Sequence, residues 1–121
     1  MFILLQTEDL TPHTTSPKHP ASLLGEAAAL AKALSDENRL RILFFLHDGK
    51  KSVSQIVEGM GLSQPLVSHH LRELKRALLV GVERKGPFVF YSLERAEIIA
   101  LLRHMGGLAE ELIASRGSVG R

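Results

Sequence analysis

The chain contains no cysteine. This absence excludes disulfide bonds, zinc sites built on thiolates and redox sensing through a thiol. Long hydrophobic runs are also missing, since no segment approaches the roughly twenty apolar residues that a membrane-spanning helix needs. The opening segment Met1–Leu5 is apolar, but it lacks a basic leader and is too short for a signal peptide. We therefore expect a cytoplasmic protein.

The residue patterns of common enzymes are missing as well. There is no glycine-rich phosphate loop, no pair of acids at a recognisable cleft position and no cysteine nucleophile. Ser68 and His69 are adjacent, but neighbouring residues on a helix do not face each other, so they are not a fragment of a catalytic triad. The sequence therefore predicts a protein that is not an enzyme.

The positive charge is concentrated in the middle of the chain. Its 121 residues fit one domain with a substantial core, and the net charge is only +2. Residues 49–86, however, carry seven Lys and Arg against three Asp and Glu, whereas residues 1–48 have a net charge of −2 and residues 87–121 are neutral. A local surplus of cations is what a phosphate-contacting segment needs, although a solvated face can have the same composition.

The chain divides into an arm, a folded domain and a tail. Residues 1–20 contain three prolines and no periodicity, which predicts a flexible N-terminal arm. Residues 21–115 carry periodic apolar patterns that predict one folded domain, and residues 116–121 are expected to fray. The fold class is mainly α (α+β).

Apolar spacing and capping residues predict five helices and one hairpin. Ser52 and Gln55 form a capping box, and Ser63 is expected to cap the fourth helix. The predicted helices span 21–34, the segment after a Ser35 cap up to Asp48, Val53 to Gly59, the segment after Ser63, and Glu94 to Ser115. The predicted strands are Val80–Arg84 and Phe88–Ser92, joined by Lys85-Gly86-Pro87.

The fourth helix is expected to bury one side and present the other to DNA. Its buried stripe should comprise Leu66, Val67, Leu71, Leu74 and Leu78. A short helix, a glycine-containing turn, a polar-fronted helix and a hairpin together make a winged helix-turn-helix. Because Gln, Arg, Ser and His can hydrogen-bond bases or phosphates, the predicted DNA-binding residues are Ser63, Gln64, Ser68, His69, Arg72 and Lys75, with Arg84 and Lys85 on the wing.

Three segments resemble the ArsR/SmtB family of bacterial winged-helix repressors. Residues 62–74 (Leu-Ser-Gln-Pro-Leu-Val-Ser-His-His-Leu-Arg-Glu-Leu) resemble its recognition helix. Residues 33–43 resemble its second helix, and residues 89–93 its wing. The resemblance spans about residues 23–113. It implies an obligate homodimer formed by the first and last helices, bound to an inverted repeat that overlaps a promoter.

The resemblance also raises the question of a metal sensor. The family's thiolate site would fall on Ser52 and Ser54, which are poor ligands for soft metals. Its last-helix site would fall on Arg95, Glu97, Leu108 and Glu111, where a cation and a leucine replace two ligands. The usual sites are therefore not expected.

A rearranged metal site stays open as an alternative. Glu97, His104 and Glu111 follow at seven-residue intervals, close to two helical turns, so a dimer axis could gather them around zinc, nickel or cobalt. His13 and His19 in the arm are a second candidate pair. The more ordinary interpretation is a solvated rim and exposed arm histidines.

Three hypotheses follow. The first is a sequence-specific homodimeric DNA-binding repressor without the usual cysteine metal site and without a certain cofactor. The second is a metal-responsive repressor that uses the rearranged residues. The third, from another class, is a winged-helix protein-interaction module.

The two adjacent histidines of the fourth helix are expected to differ in their surroundings. His69 is expected to face DNA, and His70 is expected to pack beside the turn.

Overall fold

A computed structural model describes residues 20–119 of the chain, with side chains described for residues 22–117. The predicted arm therefore lies almost wholly outside the described residues, as do His13 and His19. The elements, in chain order, are α1 (Pro20–Ala33), α2 (Glu37–Phe45), β1 (Lys51–Ser52), α3 (Val53–Met60), α4 (Gln64–Arg76), β2 (Val80–Lys85), β3 (Phe88–Leu93) and α5 (Glu97–Val119).

The core forms where α2, α3, α4 and the start of α5 meet. Burying one such aliphatic side chain fully contributes about 1.5–3 kcal/mol, so this cluster dominates the stability of the domain. The helix α2 is central to it, with Ile42 and Leu43 fully buried. The largest fully buried side chains are Ile42, Leu43, Leu46, Ile56, Val67, Leu71, Leu74 and Ile99.

Polar side chains fix the starts of three helices. The predicted capping box of α3 is confirmed, because the Ser52 hydroxyl accepts from the Gln55 amide while the Gln55 side chain accepts from the Ser52 amide. Ser63 caps α4 as predicted. The expected Ser35 cap of α2 is wrong. Asp36 is the N-cap and accepts from the Arg39 amide at 3.1 Å, because a carboxylate at this position satisfies a free amide and suits the helix dipole.

The buried side of α4 differs from the predicted leucine stripe at two positions. Leu66 is 38% exposed and Leu78 is 77% exposed. Leu78 lies beyond the end of α4 with φ of 64°, a left-handed conformation that turns the chain towards β2 and points this side chain outward. His70, a polar residue, lies among the buried positions instead.

The wing belongs to a three-stranded antiparallel sheet with the order β1-β3-β2. The predicted hairpin is confirmed, with Lys85 opposite Phe88 at its tip and Gly86 in the left-handed region at φ of 59°. The short strand β1 was not predicted. It pairs Lys51 with Tyr91 and Ser52 with Phe90, and so attaches the hairpin to the start of α3.

The last helix begins at Glu97, three residues later than predicted, and continues to Val119. Within one protomer, its large apolar side chains are buried only near its start, at Ile98, Ile99 and Leu102. The predicted tail overlaps its last turn and otherwise falls outside the described residues. Within residues 20–119, no helix has the length and apolar character needed to cross a membrane. Large apolar side chains that are exposed on α1 and α5 are Leu23, Leu24, Leu101, Met105, Leu108, Leu112 and Ile113.

Candidate nucleic-acid interface

The helix-turn-helix is held by the close contact between α3 and α4. Gly61 ends α3 with φ of 68°, and its amide donates to the Val57 carbonyl. Such a positive φ is easily adopted only by glycine, and it lets the chain reverse within two residues before Ser63 begins α4. Val67 and Leu71 then anchor α4 in the core. The opposite side of α4 is therefore fixed in direction and faces solvent.

Four of the predicted DNA-contacting side chains share one strip of that surface, in which Ser68 is half-buried and the other three are exposed. With about 100° per residue, Gln64, Ser68, Arg72 and Lys75 fall within an arc of roughly 80° around the helix. The Gln64 amide donates to the Ser68 hydroxyl at 3.1 Å, so the first turns are linked. Among the described residues, neither Arg72 nor Lys75 has an ion-pair partner, and both are exposed. We call these four residues the α4 strip.

The other two predicted residues on α4 have different surroundings. The Ser63 hydroxyl accepts from the Leu66 amide at 3.3 Å, so it caps the helix while its proton remains able to donate. His69 is exposed and lies roughly 60° around the helix from Arg72. His70 is buried as expected, but its contacts are with Arg39 and Asp36 at the corner between α1 and α2 and not with the turn between α3 and α4. The DNA roles of Ser63 and His69 stay predictions.

The two predicted wing residues project from opposite faces of the hairpin. Successive side chains on a strand alternate, so Arg84 and Lys85 diverge although both are exposed. The Lys85 ammonium lies 3.7 Å from the Glu83 carboxylate. Arg84 has no such partner in the described part of the chain. The unbalanced positive charge of the wing is therefore centred on Arg84.

A cation that the sequence did not single out completes the wing. Lys50 donates to Glu83 at 2.9 Å and lies over the Phe90 ring, 5.5 Å from its centroid. The hydrogen bond from Lys50 is the main reason why the pKa of Glu83 is lowered, with Lys85 adding to it. Only the basic surplus of residues 49–86 hinted at Lys50, because its contact joins residues 33 positions apart in sequence.

The rearranged metal candidates do not meet within one protomer. Glu97, His104 and Glu111 are all exposed on α5, and seven residues of helix separate neighbours by about 10 Å along the axis. Glu97 is paired with Arg95 at 2.8 Å. Among the described residues, no three acidic or histidine side chains are grouped closely enough to hold a metal ion. A site across a dimer axis stays a prediction.

Comparison of the sequence with known proteins supports the interpretation of α3, α4 and the wing as a DNA-binding unit. A family model described as bacterial regulatory protein, arsR family, matches residues 36–81. The chain is 44% identical over 62 residues to the transcriptional repressor SdpR of Bacillus subtilis, which covers 51% of this chain and 69% of that protein. It is 38% identical over 77 residues to the transcriptional activator HlyU of Vibrio cholerae, covering 64% and 71%.

The fold has solved counterparts. One is the solution structure of a homodimeric winged helix-turn-helix DNA-binding domain from Mycobacterium bovis, a possible ArsR-family transcriptional regulator. It superposes with a TM-score of 0.68 at 28% identity, over 81% of this chain and 91% of that chain.

Proposed function

This chain belongs to the arsR family of bacterial regulatory proteins, and from that membership we propose that it is a homodimeric, sequence-specific DNA-binding transcriptional repressor. The observation that carries the proposal is the α4 strip. It presents an amide, a hydroxyl and two cations without ion-pair partners among the described residues, from a helix whose other side is locked in the core. These are the chemical groups that read bases and hold phosphates in a major groove.

A dimer fits both the apolar surface and the solved relative. Leucine side chains on α1 and α5 are exposed in one protomer, and the Mycobacterium bovis domain is homodimeric. Pairing through these helices would present two α4 helices to successive major grooves, about 34–36 Å apart. The operator would then be an inverted repeat, and Arg84 and Lys85 would contact the flanking backbone. A regulator of this kind acts beside the chromosome, so we place it in the cytoplasm and assign it no enzymatic activity.

The test is a selection of duplexes from a random DNA library, followed by fluorescence anisotropy on the enriched duplex. The expected result is an enriched inverted repeat, bound as one dimer with a Kd of about 10⁻⁸ M or lower at physiological salt. A promoter–reporter fusion with that repeat should be silenced by the protein. No enrichment, or activation of the reporter, would overturn the assignment as a repressor; no enrichment would favour a protein-interaction module.

A metal-responsive form of the repressor is the second candidate. It is favoured by one observation, since Glu97, His104 and Glu111 are exposed on the same helix as the unpartnered leucines, where a second α5 could complete a site. Anisotropy with zinc, nickel and cobalt decides it. Release of DNA by one metal, lost in His104→Ala, would establish the sensor, whereas binding indifferent to all three would leave a repressor without this site.

A further inference from the structure

A histidine is buried in the helix that carries the proposed DNA-reading strip. His70 is 4% exposed and is the one buried polar side chain among the residues whose side chains are described. It lies on the side of α4 that faces the corner between α1 and α2, away from the α4 strip. Burying a polar ring there is costly unless its nitrogens find partners.

Arg39 supplies that partner and ties three helices together. Its Nη1 lies 3.3 Å from His70 Nδ1 on α4. Its Nε donates to the Ala33 carbonyl at 2.6 Å and its Nη2 to the Lys32 carbonyl at 3.3 Å, at the end of α1. Arg39 belongs to α2, so one guanidinium joins the end of α1, the start of α2 and the middle of α4.

The charge of Arg39 determines which form of His70 fits. A guanidinium only donates and stays protonated, so Nδ1 must accept and the ring proton must be on Nε2. Nε2 faces the Asp36 carboxylate at 3.8 Å. Protonation of His70 would place a donor against a donor and a second cation 3.3 Å from Arg39. The contact therefore requires the neutral imidazole.

The surrounding groups keep the ring neutral. Burial is the main cause that lowers the pKa of His70 from 6.5, and the charges of Arg39 and His69 lower it further, while Asp36 raises it. Within the described residues, these three are the charged and titratable groups that face the ring. The pKa of Asp36 itself is lowered: burial raises it, but hydrogen bonds from backbone amides and the neighbouring cations outweigh that effect. Asp36 thus stays charged over the range where His70 titrates.

We propose that His70 is a positioning residue whose neutral ring, accepting from Arg39, clamps α4 against the end of α1, so that protonation of this ring loosens the recognition helix and weakens DNA binding. The proposal rests on the DNA-binding function proposed above. It makes acidification a signal that releases DNA. The chain needs no metal for this response.

The free energy of unfolding should change with pH in the same direction as the affinity for DNA. Because folding lowers the pKa of His70, the contribution of the neutral ring to stability is present above pH 6.5 and is lost as the pH falls towards the lowered pKa.

The experiment measures Kd for the enriched duplex by anisotropy at constant salt, from pH 8 down through the titration of the His70 ring. For the wild type we expect Kd to rise below the pKa of His70, approaching tenfold per pH unit for each of the two rings in a dimer, because only protomers with a neutral ring bind. His70→Gln keeps an acceptor for Arg39 but cannot titrate, so its Kd should stay nearly flat. His47→Gln is the matched control, because His47 is exposed just beyond the end of α2 and is not a predicted DNA contact, and this variant should lose affinity in acid as the wild type does.

Two outcomes would overturn the proposal. In one, His70→Gln loses affinity in acid as steeply as the wild type. In the other, wild-type binding strengthens throughout the acidification. If His70→Gln fails to fold, nuclear magnetic resonance of the wild type decides: the His70 ring and the amides of Lys32, Ala33 and α4 should titrate with one midpoint. Ring titration without amide shifts would refute the clamp.

Failure of the proposed function is distinguishable from failure of the clamp. If the wild-type protein binds no DNA at any pH, the function proposed above is wrong. The clamp is then judged by the same resonance titration and by the melting temperature, which should fall between pH 7 and 5.5 in the wild type and less in His70→Gln. Equal falls in both proteins would contradict it.

Discussion

Replacing Glu83 by glutamine should strengthen DNA binding, because this carboxylate is the negative charge on the wing. It lies 2.9 Å from the Lys50 ammonium and 3.7 Å from that of Lys85. Its pKa is lowered by these neighbours, so the group is ionised at neutral pH and Glu83→Gln removes a full charge. The substitution preserves the shape of the side chain and frees both lysines to contact phosphates.

The size of the effect follows from the charges involved. Two unit charges about 7 Å apart in water repel by about one RT, so relieving one phosphate contact gives about threefold tighter binding. A second flanking phosphate and screening by salt bring the expected gain to about three- to fivefold for each of the two wings in a dimer at 0.1 M salt. The gain should be equal for the enriched duplex and a scrambled one if, as proposed, the wing contacts backbone and not bases.

Anisotropy titrations of both duplexes at several salt concentrations make the measurement. Glu110→Gln on α5 is the control, since it changes the net charge equally but lies outside the helix-turn-helix and the wing. The affinity of the Glu110→Gln variant for DNA should change by less than about twofold, because salt screens the interaction between charges over roughly 10 Å. Unchanged or weaker binding by Glu83→Gln, or an equal gain in the control, would refute the placement of the wing against DNA.

Three further predictions use other parts of the structure. Lys85→Ala should weaken binding to all sequences alike and reduce the salt slope by about one for each wing, hence about two for a dimer, measured by the same titrations; selective loss on the enriched duplex would contradict a backbone contact. Leu78→Gly should raise the free energy of unfolding in urea by roughly 0.5–1 kcal/mol, because an exposed leucine occupies a left-handed conformation; a loss would mean that its side chain packs in the dimer. Asp36→Ala should lower the free energy of unfolding by about 1 kcal/mol because the helix cap is lost, whereas Ser35→Ala should change this free energy by much less. A larger loss in Ser35→Ala than in Asp36→Ala would indicate that Ser35 is the cap.

Local patterns in the sequence predicted most of the fold. The capping box of Ser52 and Gln55, the Ser63 cap and the alternating hairpin depend on residues within a few positions of each other, so spacing alone indicates them. Asp36 replaced Ser35 as a cap because the choice between adjacent polar residues depends on where α1 ends. Leu66 and Leu78 were misplaced for a related reason, since the exact phase and end of α4 decide which leucines are buried.

Contacts between distant segments could not be predicted. The strand β1 has only two residues and exists because β3 is there to pair with it. Arg39 meets His70 across 31 positions, and Lys50 meets Glu83 across 33. The residues of the α4 strip could be named from sequence because they are the polar remainder of an amphipathic helix. The network that orients that helix could not.

The central claim is that the α4 strip reads DNA sequence, and the most direct measurement is a specificity ratio. This is the Kd for a scrambled duplex divided by the Kd for the enriched duplex, determined at fixed salt for the wild type and Arg72→Ala. The account predicts a wild-type ratio of at least about 10³. In Arg72→Ala this ratio should fall about 5- to 150-fold, which corresponds to roughly 1–3 kcal/mol of lost discrimination. A ratio near one for the wild type, or an Arg72→Ala variant that loses affinity equally on both duplexes, would contradict it.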